Sequence, residues 1–195
     1  MARLLLLPLF PLLLLQVMGV RAQVLIGGRC PPIPPMKDFE PNKFLGAWYE
    51  IERYFVSYEH VAGTCWVENY LFAPDRGYYT RLDWKDRLLG HILSIENGIT
   101  FDKKEPGLLH YVVQRPNIPI LQGKYKLLAT DYFYYALAWQ CEDLPLGLGH
   151  TEILWLLSKM QRPTAKTVQQ AKGIAHSLGL DTTLLQQQDR TGCPR

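Results

Sequence analysis

The sequence lacks the motifs that would name a chemistry. No serine lies in Gly-x-Ser-x-Gly, and neither His-Glu-x-x-His nor a phosphate-loop glycine pattern occurs. Serine hydrolase, zinc protease and nucleotide-binding readings therefore have nothing to rest on. The five histidines are scattered; His91 and His110 alternate with apolar neighbours, but a lone strand histidine is ordinarily hydrogen-bonded or on the surface. Asp83, Asp86 and Glu96 read as solvated edges or turns. No catalytic residue, cofactor or metal site is predicted. The four cysteines, Cys30, Cys65, Cys141 and Cys193, include no Cys-x-x-Cys pair, which argues against a zinc knuckle or a dithiol redox motif. Net charge is only +3, with basic residues scattered as in Lys103-Lys104 and Lys124-Tyr125-Lys126, so there is no stripe to hold nucleic acid. Sequons for N-glycosylation are absent too, because Asn69 precedes Tyr70-Leu71 and Asn97 precedes Gly98-Ile99.

Long apolar runs are confined to the amino terminus. Arg3 precedes a run from Leu4 to Val17, and Val20-Arg21-Ala22 places small or apolar residues where a signal peptidase reads. The run is interrupted by Pro8, Pro11 and Gln16 and is shorter than the ~20 residues a membrane span needs. Residues 1–22 are thus expected to be a secretory signal peptide, and residues 23–195 a single exported, extracellular domain. In an exported chain an even cysteine count points to two disulfides. Three connectivities are open, and each closes a long loop, for which chain entropy gives about 4 kcal/mol per bridge.

What the sequence does have is aromatic and β-branched residues in short runs. Pro31-Pro32-Ile33-Pro34-Pro35 cannot donate to a central ladder and reads as an extended lead-in. From there, candidate strands fall at 48–54, 64–73, 78–84, 88–96, 99–102, 108–114, 124–130, 134–141 and 151–157. They are punctuated by Pro74-Asp75-Arg76-Gly77, Asn97-Gly98, Glu105-Pro106-Gly107 and Asp131-Tyr132. Such spacing predicts an antiparallel sandwich or barrel. One helix follows over 165–177, with Val168, Ala171, Ile174, Ala175 and Leu178 on one stripe and Gly179 at the stop. It must dock on the outside of the sheet. Trp66, Tyr70, Tyr78, Tyr79, Trp84, Tyr111, Tyr125, Tyr134, Tyr135, Trp139 and Trp155 lie on candidate strands, where amphipathic rings either fill a core or line a cavity with hydroxyls for a ligand.

The stretch Lys43-Phe44-Leu45-Gly46-Ala47-Trp48-Tyr49-Glu50-Ile51, the turn Thr130-Asp131-Tyr132, and a basic residue after Trp155 ahead of a single helix together resemble the lipocalin family. The likeness runs over nearly the whole exported chain. It implies a mostly β fold: an eight-stranded antiparallel up-and-down barrel, closed at one end and open at the other, with one helix packed outside. It also implies a carrier of a small hydrophobic ligand such as a fatty acid, sterol or retinoid-like molecule. A cysteine frame found in the family implies the pairs Cys30–Cys141 and Cys65–Cys193. Tyr70, Trp155 and Asn69 match or adjoin ligand-contacting positions, whereas Gly46, Trp48, Thr130, Asp131 and Tyr132 match the structural motifs, with Trp48 plugging the closed end. Where the family usually sets an arginine over that tryptophan, this chain has Lys159 followed by Met160-Gln161-Arg162. Lysine keeps a cation over the ring but loses the bidentate fork, and either Lys159 or Arg162 is positioned to cover Trp48. Two rival functions remain at this level. One is a thiol-dependent isomerase, which requires a free cysteine. The other is a protein acting at a lipoprotein or membrane surface through the apolar connections 115–121 and 144–148.

Overall fold

A computed structural model describes residues 24–56, 59, 63–113 and 122–194. The expected signal peptide at 1–22 and the apolar connection at 115–121 lie outside the described residues.

Alternating side chains build a closed barrel. The strands are β1 (Val24–Ile26), β2 (Gly46–Arg53), β3 (Gly63–Ala73), β4 (Gly77–Asp86), β5 (Ile92–Phe101), β6 (Leu108–Val113), β7 (Gln122–Thr130), β8 (Ala136–Asp143), β9 (His150–Ser158) and β10 (Gln186–Gln187). From β2 to β9 each strand pairs antiparallel with the next, and β9 returns to β2 with Tyr49 opposite Ser158 and Arg53 opposite Trp155. That last pairing closes eight strands into an up-and-down barrel and removes its edges. β1 and β10 are short additions, pairing with β9 and β2. Neither was apparent from the sequence.

One predicted break is absent. Asn97-Gly98 does not turn the chain: β5 runs straight through it, with Gly98 paired to Tyr79 on one side and Val112 on the other. The turn before β5 falls instead at 87–91. There Asp86 Oδ1 accepts the Leu88 and Leu89 N–H groups at 3.0 and 2.6 Å. Leu88 and Leu89, expected to start a strand, sit exposed in that turn.

Two buried clusters share the barrel wall. Inside, at the end where the β3–β4, β5–β6 and β7–β8 connections lie, Phe39, Phe44, Trp48, Tyr70, Leu109 and Leu127 fill the bore. Outside, the helix Ala165–Ser177 lies over Leu137, Trp139, Leu154 and Leu156. Thr164 caps this helix, its hydroxyl accepting the Thr167 N–H at 3.2 Å. Ala171 and Ala175 are fully buried, so the helix approaches the sheet closely. The predicted stripe of Val168, Ala171, Ile174, Ala175 and Leu178 belongs to this cluster. Two disulfides tie the chain ends to the wall, Cys30–Cys141 and Cys65–Cys193.

Candidate ligand-binding cavity

The closed end is built first, because it sets the floor. Gly46 has φ +104°, and a Cβ there would come within 3.1 Å of Lys159 Nζ; glycine lets the chain enter β2 without strain or collision. Two residues on, Trp48 is fully buried. Its indole N–H donates to Phe44 O at 2.8 Å, and its ring stacks on Phe44 with centroids 4.5 Å apart. Lys159 covers the ring, with Nζ 4.4 Å from the ring centroid and donating to Leu45 O at 2.7 Å. Burial pulls its ammonium down to about 8. Thr130-Asp131-Tyr132 forms the neighbouring turn: Asp131 Oδ1 accepts the N–H groups of Phe133, Tyr134 and Tyr135 at 3.1, 2.8 and 3.1 Å. Tyr132 OH in turn accepts the Glu40 N–H at 2.9 Å, pinning the lead-in segment.

Above this floor lies a cavity of about 640 Å³, in the range that holds a small organic ligand. Trp66, Leu82, Trp84, Ile95, Val113 and Trp155 supply its apolar wall. Trp66 and Trp84 are stacked, 5.0 Å between centroids and 16° between planes. Gly123 allows the Tyr111 ring to lie flat across β7, since any Cβ there would collide with it.

The wall is also acidic. Glu50, Glu59, Glu68 and Glu142 line it, with Gln140, Thr80 and Asn97. Tyr125, Tyr70 and Glu68 form a chain at the floor: the two tyrosine hydroxyls are 2.7 Å apart, and Tyr70 OH donates to Glu68 Oε2 at 3.0 Å. Burial is the largest cause holding the Glu68 carboxyl up at about 7. Burial, and then the Glu59 charge, push Glu50 well above the ordinary carboxylate range, with Arg53 opposing. Both tyrosine hydroxyls are likewise pushed up, chiefly by burial.

The three candidate contact residues separate. Trp155 is in the cavity wall. Tyr70 is one layer lower, buried edge-on to Phe44 and reaching the cavity only through Glu68 and Tyr125. Asn69 faces the other side of β3, its amide donating to Arg81 O and Asp83 Oδ2 at 3.1 and 2.9 Å. Adjacent strand residues point to opposite faces, so Asn69 and Tyr70 cannot both face inward. His91 and His110 are exposed. The acidic residues were missed by sequence reasoning, although a signal existed. Glu50 is two residues from the inward Trp48, and Glu68 sits between Trp66 and Tyr70, so strand parity puts both inside.

No protein-family model matches the chain. Apolipoprotein D of Oryctolagus cuniculus is 32% identical over 192 residues, spanning 97% of this chain and 97% of that protein. Apolipoprotein D of Cavia porcellus is 33% identical over 170 residues, spanning 86% and 85%. The chain belongs to the lipocalin family. This lipocalin also shares its fold with the solved structure of insecticyanin from the tobacco hornworm Manduca sexta, at a TM-score of 0.78, 20% identity and coverage of 87% and 90%. Apocrustacyanin C2 superposes at a TM-score of 0.67 and 19% identity, covering 87% and 93%.

Proposed function

We propose that this lipocalin is a secreted carrier that encloses a small hydrophobic ligand in the barrel cavity and moves it through an aqueous compartment. The observation carrying this reading is the walled cavity of about 640 Å³ above a floor sealed by Trp48. Apolar burial drives such binding at ~25 cal/mol per Å² before ordering costs. Sterol, retinoid-like and fatty-acyl bodies all have the required apolar area. Oxidised Cys30, Cys65, Cys141 and Cys193 fit an extracellular setting. With no thiol left free among them, a thiol-dependent isomerase has no nucleophile. The test uses tryptophan emission: an apolar ligand should change it, and Trp155→Phe should remove a large part of that change and weaken binding. A Trp155→Phe variant with unaltered emission response and affinity would place the ligand elsewhere.

A second reading concerns the outer surface. Leu146 and Leu148 are 96% and 72% exposed, and Leu88 and Leu89 are 89% and 67% exposed, all on connections at the open end. Solvent-facing leucines in such numbers support contact with a lipoprotein or membrane surface. Flotation with neutral phosphatidylcholine vesicles should carry the protein upward, and Leu146→Ser with Leu148→Ser should abolish it; a protein that stays at the bottom rules this reading out.

A further inference from the structure

The charges inside the cavity do not balance. Glu50, Glu59, Glu68 and Glu142 line it, and among the described residues no lysine or arginine does. Arg53, behind the wall, is committed to two of the four: its Nε lies 3.1 Å from Glu50 Oε2 and 2.9 Å from Glu59 Oε2, and its Nη1 donates to Tyr54 O at 3.4 Å. Arg190, also behind the wall, donates to Glu50 O and Trp66 O at 3.3 and 3.1 Å. Glu68 receives neutral donors, the Tyr70 hydroxyl at Oε2 and the Thr80 hydroxyl. Glu142 is met by the Gln140 amide, which donates to it at 3.0 Å. Lys159 is turned to the closed end, on Leu45 O and the Trp48 ring.

A second observation points the same way. Asn97 Nδ2 donates to Thr80 Oγ1 at 3.3 Å, while its Oδ1 is buried in the cavity wall without a partner. The unpartnered buried donor there is Trp84 Nε1. The wall therefore offers acceptors and negative charge to whatever enters, next to three indole rings. A carboxylate head would add like charge to a site already crowded with it. An ammonium would find a carboxylate partner, hydrogen-bond acceptors and aromatic faces together.

Resting on the carrier reading above, we propose that the cavity selects a protonated amine with an apolar body, its ammonium against Glu68 and its body along Trp66, Trp84 and Trp155, over a carboxylate of equal length. The desolvation that penalises a lone buried ammonium is offset because a carboxylate is already buried there. The ligand in turn supplies the positive charge whose lack lets burial hold Glu68 near 7.

The test compares dodecylamine, dodecanol and dodecanoate on the full secreted protein, each below its micelle concentration, by displacement of a neutral fluorescent probe. Dodecylamine should bind about tenfold more tightly than dodecanol, the scale of one charge-assisted hydrogen bond, and dodecanoate more weakly than either. Glu68→Gln should bring the amine-to-alcohol ratio to about two or less, while Asp75→Asn, at an exposed acid on the β3–β4 connection outside the cavity, should leave it unchanged. Alcohol binding with no preference for the amine, or dodecanoate binding as well as the amine, overturns this inference and leaves the carrier reading standing. Failure of all three to bind removes both.

Discussion

At the scale of single residues, the cavity wall buries carboxyl groups whose ionisation that burial disfavours. Glu68 makes this measurable. Its unfolded carboxyl titrates near 4.5 and its folded one near 7, so between those values the folded state holds more protons. Stability associated with this group is therefore complete below pH 4.5 and is lost as pH rises through about 7. Glu50 is shifted in the same direction and adds to the trend. Glu68→Gln, which keeps the shape but cannot ionise, should gain about 1–3 kcal/mol over the parent near pH 8. That gain should shrink toward zero by pH 4.5 in parallel urea titrations. An advantage that is equal at both ends, or a loss at the alkaline end, would mean that Glu68 is not buried as an unpaired acid. By contrast, the Trp48 plug satisfies every polar group it introduces: the indole N–H has Phe44 O, and the ammonium above it has Leu45 O.

At the scale of elements, the helix and the cavity sit on opposite faces of the same wall. β8 illustrates it, since Ala138 faces the bore while Leu137 and Trp139 face the helix. Because Ala171 is fully buried against that outer face, Ala171→Leu should overpack it and cost about 1–3 kcal/mol. Ligand affinity should stay within about twofold, since helix and ligand share no contact. A large affinity change with unaltered stability would couple the two faces. This two-sidedness also explains what the sequence disclosed. Alternation, turn residues and the helical stripe gave eight of the strands and the helix, because those signals are local. Trp66, Trp84, Tyr111, Tyr125 and Trp155 were visible as amphipathic strand residues, but whether rings fill a bore or leave it hollow is decided by neighbours distant in sequence. Asn97-Gly98 misled because the strongest short hairpin signal was overridden by ladder partners on both sides, Tyr79 and Val112. β1 and β10 were invisible because they are only three and two residues long and exist only against the barrel.

At the scale of the whole molecule, the closing pair β2–β9 and the two disulfides divide the work of holding the ends. Hydrogen bonds seal the sheet, and each sulfur bridge binds one terminal segment to a strand. The bridges interleave: Cys65 lies between Cys30 and Cys141 in the chain, and Cys141 lies between Cys65 and Cys193. That order has a mechanical meaning. If the two termini are pulled apart, the shortest covalent route runs from Cys30 along β2 to Cys65 and then across to Cys193. Stretching that segment draws β2, with Trp48 and Glu50, out of the barrel and opens the cavity. Once it is taut it carries the load alone, and the longer routes through β3 to β9 stay slack. Single-molecule stretching under oxidising conditions should therefore release only the Cys30-to-Cys65 length, and adding reductant should release the rest of the barrel. Full extension without reductant would show that the tether does not follow this route. A carrier dragged by its ends would open its cargo chamber well before its covalent frame reached full length.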